Sequence, residues 1–322
     1  MKIPEKMLLV ITCIWFTTSV GSPENLPDLP EAESGLEPSA DPGNEIIQYG
    51  EYMFRASGCA SCHTDEDNDG EFLAGGRALK TPMGTFYTPN ITPHRDDGIG
   101  KWSDDDFVRA VTEGIRPDGK HYYPVFPYTT YTHLQRDDVI AIKNYLFSVK
   151  PVARKNRTHE LPWYLRWRSV VRAWKALYFE PGEFAKQPKR SDLWNRGAYL
   201  VRAAGHCAEC HTPRGRLGAL DQARLFSGTN NGPDDNRVPN ITPDKKTGIT
   251  WKQSDLVYFF QTGATPSGDY TGSLMAEVID DGLRYMTEDD LKAIVRYLKS
   301  LPPVEHAIKD NDEKTKAKGE FD

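Results

Sequence analysis

Cys59-Ala60-Ser61-Cys62-His63 and, later, Cys207-Ala208-Glu209-Cys210-His211 are the two stretches on which the fold turns. The pattern C-x-x-C-H sets two thiols one helical turn apart with an imidazole beside the second, which is the c-type haem attachment signal. The thiols add across the two vinyl groups of the haem, and the adjacent histidine reaches the iron. A single such pentapeptide arises by chance, or as a redox or zinc pair. Two of them, consuming every cysteine after Cys13, point to two covalently bound haem c groups. Cys59, Cys62, Cys207 and Cys210 are then the attachment points, and His63 and His211 the proximal iron ligands.

The sequence around the motifs repeats as well. Tyr52 and Arg55-Ala56 precede the first motif as Tyr199 and Arg202-Ala203 precede the second. Pro89-Asn90-Ile91-Thr92-Pro93 recurs as Pro239-Asn240-Ile241-Thr242-Pro243, followed in both copies by Gly-Ile (98–99, 248–249) and Trp (Trp102, Trp251). Gly114 matches Gly263, and Asp137-Asp138, Tyr145-Leu146 and Pro151-Val152 match Asp289-Asp290, Tyr297-Leu298 and Pro303-Val304. The chain is a tandem duplication of one unit. Its 322 residues also suit two compact domains plus connectors.

Each unit reads as helical. Ile46, Tyr49 and Met53 stand at helical spacing before the first motif. Ser103 and Thr287 precede acidic residues and an apolar periodic stretch, as N-caps do, and the last helices are expected at about 137–148 and 289–300. No long alternating strand appears. The repeated Asn-Ile-Thr triplets resemble glycan acceptors, but their equivalent placement favours a structural role.

Composition limits the function classes. A net charge of −6 (40 basic against 46 acidic residues) supplies no positive field for nucleic acid. The one strongly apolar run, Met7 to Val20, is 14 residues long, too short for an ordinary membrane span. With Lys2 and Lys6 before it and Ser19-Val20-Gly21 behind, it reads as a signal peptide, so the expected location is the periplasm. Lipidation at Cys13 is disfavoured by Val10-Ile11-Thr12 ahead of it. Residues 22–44, rich in Pro, Glu, Ser and Asp, read as a flexible leader. Residues 154–175 carry seven basic side chains (Arg154, Lys155, Arg157, Arg166, Arg168, Arg172, Lys175) against Glu160. Trp163, Trp167, Val170, Val171, Trp174 and Tyr178 fall at helical spacing there. That face either buries itself between the two haem units or meets a partner subunit or an anionic membrane surface.

From about Glu45 to Val304 the chain resembles the cytochrome c subunits of bacterial membrane-bound dehydrogenases, especially quinoprotein alcohol dehydrogenase and flavoprotein gluconate dehydrogenase. The resemblance rests on Gly75-Gly76-Arg77, the segment from Thr85 to Thr92, Tyr123-Pro124 with Pro127-Tyr128, the run 194–201, and 205–214 around the second motif. It implies an all-α fold of two tandem class I cytochrome c domains, residues 45–153 and 191–304, joined by a basic, Trp-rich helical linker, residues 154–190. A signal peptide (1–21) and the leader would precede them, and a charged tail (305–322) would follow. The implied function is electron transfer from a dehydrogenase to a downstream cytochrome, quinone or oxidase, with membrane association through a partner. Those subunits usually carry a third haem domain and attach through their C-terminal part, neither of which this chain matches.

The iron ligands differ between the copies. A haem c that only transfers electrons usually holds its iron between His and Met. Aligning Gly114 with Gly263 sets Met275 against Phe126; Met275 lies 64 residues after His211 and Phe126 lies 63 after His63. Met275 is thus the expected sixth ligand of the second iron, and Phe126 cannot ligate the first. For the first iron His121, Met83, His94 and His133 are the candidate replacements, with water or no ligand as alternatives. An open first haem would suit an enzyme acting on peroxide or a sulfur compound, which stands as the alternative to the carrier. Asp65, Asp67, Asp69 and Gly70 open like a calcium loop, but its twelfth position is Gly76 rather than glutamate, so a solvated acidic loop is the better reading.

Overall fold

Gly50 and Gly197 mark the contacts that organise the two halves. Helix α1 (Pro42–Ala56) crosses α5 (Arg136–Ser148) in the first half, and α7 (Asp192–Tyr199) crosses α11 (Glu288–Leu298) in the second. A Cβ on Gly50 would be driven into the Ala141 carbonyl, and one on Gly197 into that of Ala293. Glycine lets these backbones approach closely. The structure is a computed structural model that describes residues 42–233 and 236–308. The expected signal peptide, most of the leader and most of the tail lie outside the described residues.

Between the crossing helices lie the short motif helix α2 (Cys59–His63), α3 (Asp104–Glu113) and α4 (Tyr128–Tyr131). The second half repeats them as α8 (Ala208–His211), α9 (Gln253–Thr262) and α10 (Ser273–Asp281). The caps act as the sequence indicates. Ser103 Oγ accepts from the Asp106 amide and Asp106 returns a bond to the Ser103 amide, while Thr287 Oγ1 accepts from the Asp290 amide. Such caps satisfy amides that the helix itself leaves open.

The fold is mostly helical rather than all-α. Strands β1 (Ala78–Thr81) and β2 (Gly84–Tyr87) pair antiparallel around a tight Pro82-Met83 turn. Gly84, at φ +121°, makes that turn where Leu161 packs close. Glu160 then bridges Thr85 and extends the hairpin by one rung.

The basic connector does not form one continuous apolar face. A 3₁₀ turn at Trp163–Arg166 interrupts it, and helix α6 starts only at Arg168 and ends at Tyr178. The change of period rotates the earlier aromatics away from the later ones. Val171 is buried with Leu161 of the connector and with Phe86 and Tyr123 of the first half. Trp163 and Trp167 are 69% and 64% exposed, and of the three tryptophans here it is Trp174 that reaches the second half, donating Nε1–H to the Leu217 carbonyl. Several of the charges turn inward. Lys175 caps the Glu113 carbonyl, Arg168 donates to the His121 carbonyl and stacks on Tyr123, and Arg154 reaches the Gly75 carbonyl. Ile46 and Tyr49, expected on the inner face of α1, are exposed, whereas Met53 is wholly buried.

Candidate functional site

Both motif histidines are held in one tautomer. His63 Nδ1 lies 2.8 Å from the Pro89 carbonyl, and His211 Nδ1 lies 2.8 Å from that of Pro239. A carbonyl only accepts, so Nδ1 carries the proton in each ring and Nε2 keeps its lone pair for a metal. Burial outweighs the carbonyl contact and lowers both histidine pKa values, which favours neutral imidazole. Behind each ring the backbone is fixed as well. Gly75 N–H donates to the His63 carbonyl at 2.8 Å, and Gly228 N–H to the His211 carbonyl at 2.7 Å.

Asparagine supports the proline in both copies. Asn90 Oδ1 accepts from the Thr92 amide and hydroxyl while Nδ2 donates to the Val152 carbonyl; Asn240 repeats this with Thr242 and Val304. Both asparagines are 2% exposed. The Asn-Ile-Thr triplets are therefore internal fasteners. Leu73 and Phe226, almost wholly buried at positive φ (60° and 64°), donate their amides to Thr64 and Thr212, the residues next after the two histidines. Left-handed backbone at branched and aromatic residues persists only where its surroundings enforce it.

The two motifs meet along a seam with near two-fold exchange of partners. Tyr52 of the first half donates to Asp290 of the second (2.6 Å), and Tyr199 of the second donates to Asp138 of the first. Within each half Tyr49 donates to Asp138 (2.7 Å) and Arg196 clasps Asp290 (2.8 and 2.6 Å). Arg77 donates to the Ser61 carbonyl within the first motif and pairs with Glu277 of α10 (2.6 and 3.0 Å). Conversely, Thr130 of α4 donates to Glu209 of the second motif at 2.6 Å.

An inserted residue sits in this seam. Cys59 lies seven positions after Tyr52, and Cys207 eight after Tyr199. A π-helical turn, Leu200–Ala204, adjoins the extra residue, His206, which takes φ 36°. Its ring packs edge-on to Tyr131 at 5.5 Å beside Gly58, the left-handed residue before Cys59. Tyr131 in turn donates to the Ser57 carbonyl at 2.5 Å.

Met275 is half-buried on α10 and packs on the main core, as Phe126 does. The candidate ligands of the first iron have separate attachments. His121 Nδ1 is 3.1 Å from Lys175 Nζ. His94 accepts from the Asp97 amide within its own turn (3.1 Å), His133 bonds the Gly182 carbonyl (2.7 Å), and Met83 occupies the exposed hairpin turn. Asp65 is buried, with one carboxylate oxygen on the Asn68 amide group and the other 3.5 Å from Arg154. Among the described residues no cluster of three or more His, Cys, Asp or Glu forms a metal cage. The four cysteines, among the described residues, form no disulfide. A thiol pair on one turn followed by a histidine with Nε2 unprotonated is a donor set that fits haem c in both copies.

The family profile described as cytochrome c matches residues 47–150 and 195–302. The chain belongs to the cytochrome c family. A diheme cytochrome c-type protein of Cereibacter sphaeroides is 37% identical over 300 residues, covering 91% of this chain and 94% of that protein. The fructose dehydrogenase cytochrome subunit of Gluconobacter japonicus is 40% identical over 259 residues, 80% of this chain and 52% of that one. The alcohol dehydrogenase (quinone) cytochrome c subunit of Gluconacetobacter polyoxogenes is 36% identical over 283 residues, 85% and 59%. The chain thus spans about half to three-fifths of these two dehydrogenase subunits. This cytochrome c carries two covalently bound haem c groups and transfers electrons. No helix of the described residues is long and apolar enough to cross a membrane.

Sequence reasoning did not single out Pro89 and Pro239 as histidine partners, since their contribution is a main-chain carbonyl. The available signal was the Pro-Asn-Ile-Thr repeat lying 26 and 28 residues after the two histidines. His206 was legible too, in the unequal spacing from tyrosine to cysteine.

Proposed function

We propose that the chain is an exported dihaem electron carrier that serves a dehydrogenase in the periplasm and delivers electrons to a downstream cytochrome, quinone or oxidase. The observation that carries this reading is the pair of motif helices, each with its histidine tautomer set by a proline carbonyl, meeting at one seam. Cys59 and Cys62, and Cys207 and Cys210, attach the haems; His63 and His211 ligate the irons, and Met275 is the sixth ligand of the second. Bound haem c supplies a one-electron iron couple. The chain's own residues fix the imidazoles, keep the apolar core dry, and hold the two sites side by side through Arg77–Glu277, Thr130–Glu209 and the tyrosine–aspartate contacts. Residues 45–153 and 191–304 form the two units, joined by a basic, Trp-rich connector at 154–190. Residues 154–178 offer a contact surface for the dehydrogenase or a membrane.

The test is haem counting on protein made in a host with haem-attachment machinery. Two haems per chain are expected, surviving a denaturing gel. Replacing Cys207 and Cys210 together by alanine should leave one. One haem or none in the wild type would overturn the reading, and co-purification with a dehydrogenase tests the donor.

A further inference from the structure

We propose that the first haem c, the one held at His63, has no protein side chain opposite the histidine and binds a small neutral diatomic molecule there. This rests on the dihaem reading above. The distal hairpins of the two halves match bond for bond. Tyr122 N–H donates to the Gly114 carbonyl (2.8 Å) as Thr271 does to Gly263 (2.9 Å), and Arg116 donates to Lys120 (2.9 Å) as Thr265 does to Asp269 (2.7 Å). Gly119 donates to Arg116 as Gly268 does to Thr265, and the bridge Ile115–His121 repeats as Ala264–Tyr270. From each anchoring glycine the chain runs twelve residues without a gap, to Phe126 in one copy and Met275 in the other. By this register Phe126, in the turn before α4, is the counterpart of Met275 in the first turn of α10, and a benzyl ring has no lone pair to give.

Phe126 lies on the motif side of the turn that ends the hairpin. Its ring is held between Tyr122 (5.4 Å) and Tyr131 (5.8 Å), and Tyr131 is bonded to Ser57, two residues before Cys59. Its neighbours face the other way. Tyr123 and Val125 pack with Phe86, Leu161 and Val171, and His121 faces Lys175 on α6. The nearest histidine in sequence is thus turned toward the connector. Met83 stands in the turn of the hairpin that Leu161 covers. His94 takes the Asp97 amide within its own turn, and His133 faces the connector, with its ring on the Gly182 carbonyl and its own carbonyl on the Phe184 amide. The aromatic wall of Phe126, Tyr122 and Tyr131 presents no charged group, and Tyr131 has already committed its hydroxyl proton. Such a wall favours a neutral ligand over an anion, whose burial is costly.

Carbon monoxide is the probe, added to the full-length dithionite-reduced protein, with absorption spectra and haem content measured on the same sample. The expected result is one carbon monoxide per two haems. Phe126→Met should abolish binding while keeping both haems, and Phe126→Leu should retain it. No binding by a wild-type protein that carries two haems would overturn the proposal, as would two carbon monoxide molecules per chain or unchanged binding in Phe126→Met. A haem count below two overturns the dihaem reading instead.

Discussion

Asp138 is a single buried carboxylate on which two tyrosine hydroxyls end, Tyr49 from its own half and Tyr199 from the other. Removing it leaves both hydroxyls without an acceptor. At about 1–3 kcal/mol for each abandoned polar group, Asp138→Ala should lower stability by about 2–6 kcal/mol in denaturant titration. Asp290, its counterpart, gives a pH dependence. Burial pushes its pKa up, but the Arg196 guanidinium and the Tyr52 hydroxyl outweigh burial and hold the carboxyl below its usual value. A depressed folded pKa adds stability above the unfolded value, about 3.9, and that stability is lost as pH falls through the folded one. Stability should therefore fall more steeply between pH 6 and pH 3 in the wild type than in Asp290→Asn; equal slopes would show that the carboxylate is not held this way.

Among the elements, the helix crossings at Gly50 and Gly197 are the least forgiving. Gly197→Ala should cost about 1–3 kcal/mol or more from overpacking. Gly272→Ala, where an added Cβ meets nothing within 4 Å, should stay within about 0.5 kcal/mol, so thermal unfolding of the two variants separates crowding from a general glycine effect. The elements also show what the sequence discloses. Motif helices and the Ser103 and Thr287 caps were legible because each depends on residues a few positions apart, and the duplication because short motifs recur in the same order. The hairpin 78–87 was not, since four-residue strands carry too little alternation to stand out. The break at Trp163–Arg166 was hidden because apolar residues continue at helical spacing straight through it. In the site itself, the histidines and cysteines were legible from their side chains, whereas the Pro89 and Pro239 carbonyls belong to the backbone that every residue shares.

At the scale of the whole molecule, the polar contacts across the seam add to a hydrophobic core that runs through both haem units. Arg77 and Glu277 are only 16% and 34% exposed at their side chains. A double-mutant cycle with Arg77→Ala and Glu277→Ala should return a coupling of about 1–2 kcal/mol, between the values for exposed and buried charged pairs. The single variants should also slow electron exchange between the two haems after one is photoreduced; an unchanged rate would mean the seam does not set their separation.

The exchange of tyrosines between aspartates is the contact pattern of an isologous dimer, here written into a single polypeptide. Tethering replaces a diffusional encounter with an effective concentration on the order of millimolar, so weak contacts suffice to keep the halves together. It also releases the copies from symmetry. In a homodimer, a substitution at the position of Phe126 would appear in both units at once, and an insertion like His206 would appear twice in the same interface. In the tandem chain each change is made once, and one surface can keep its thioether while the other gives it up.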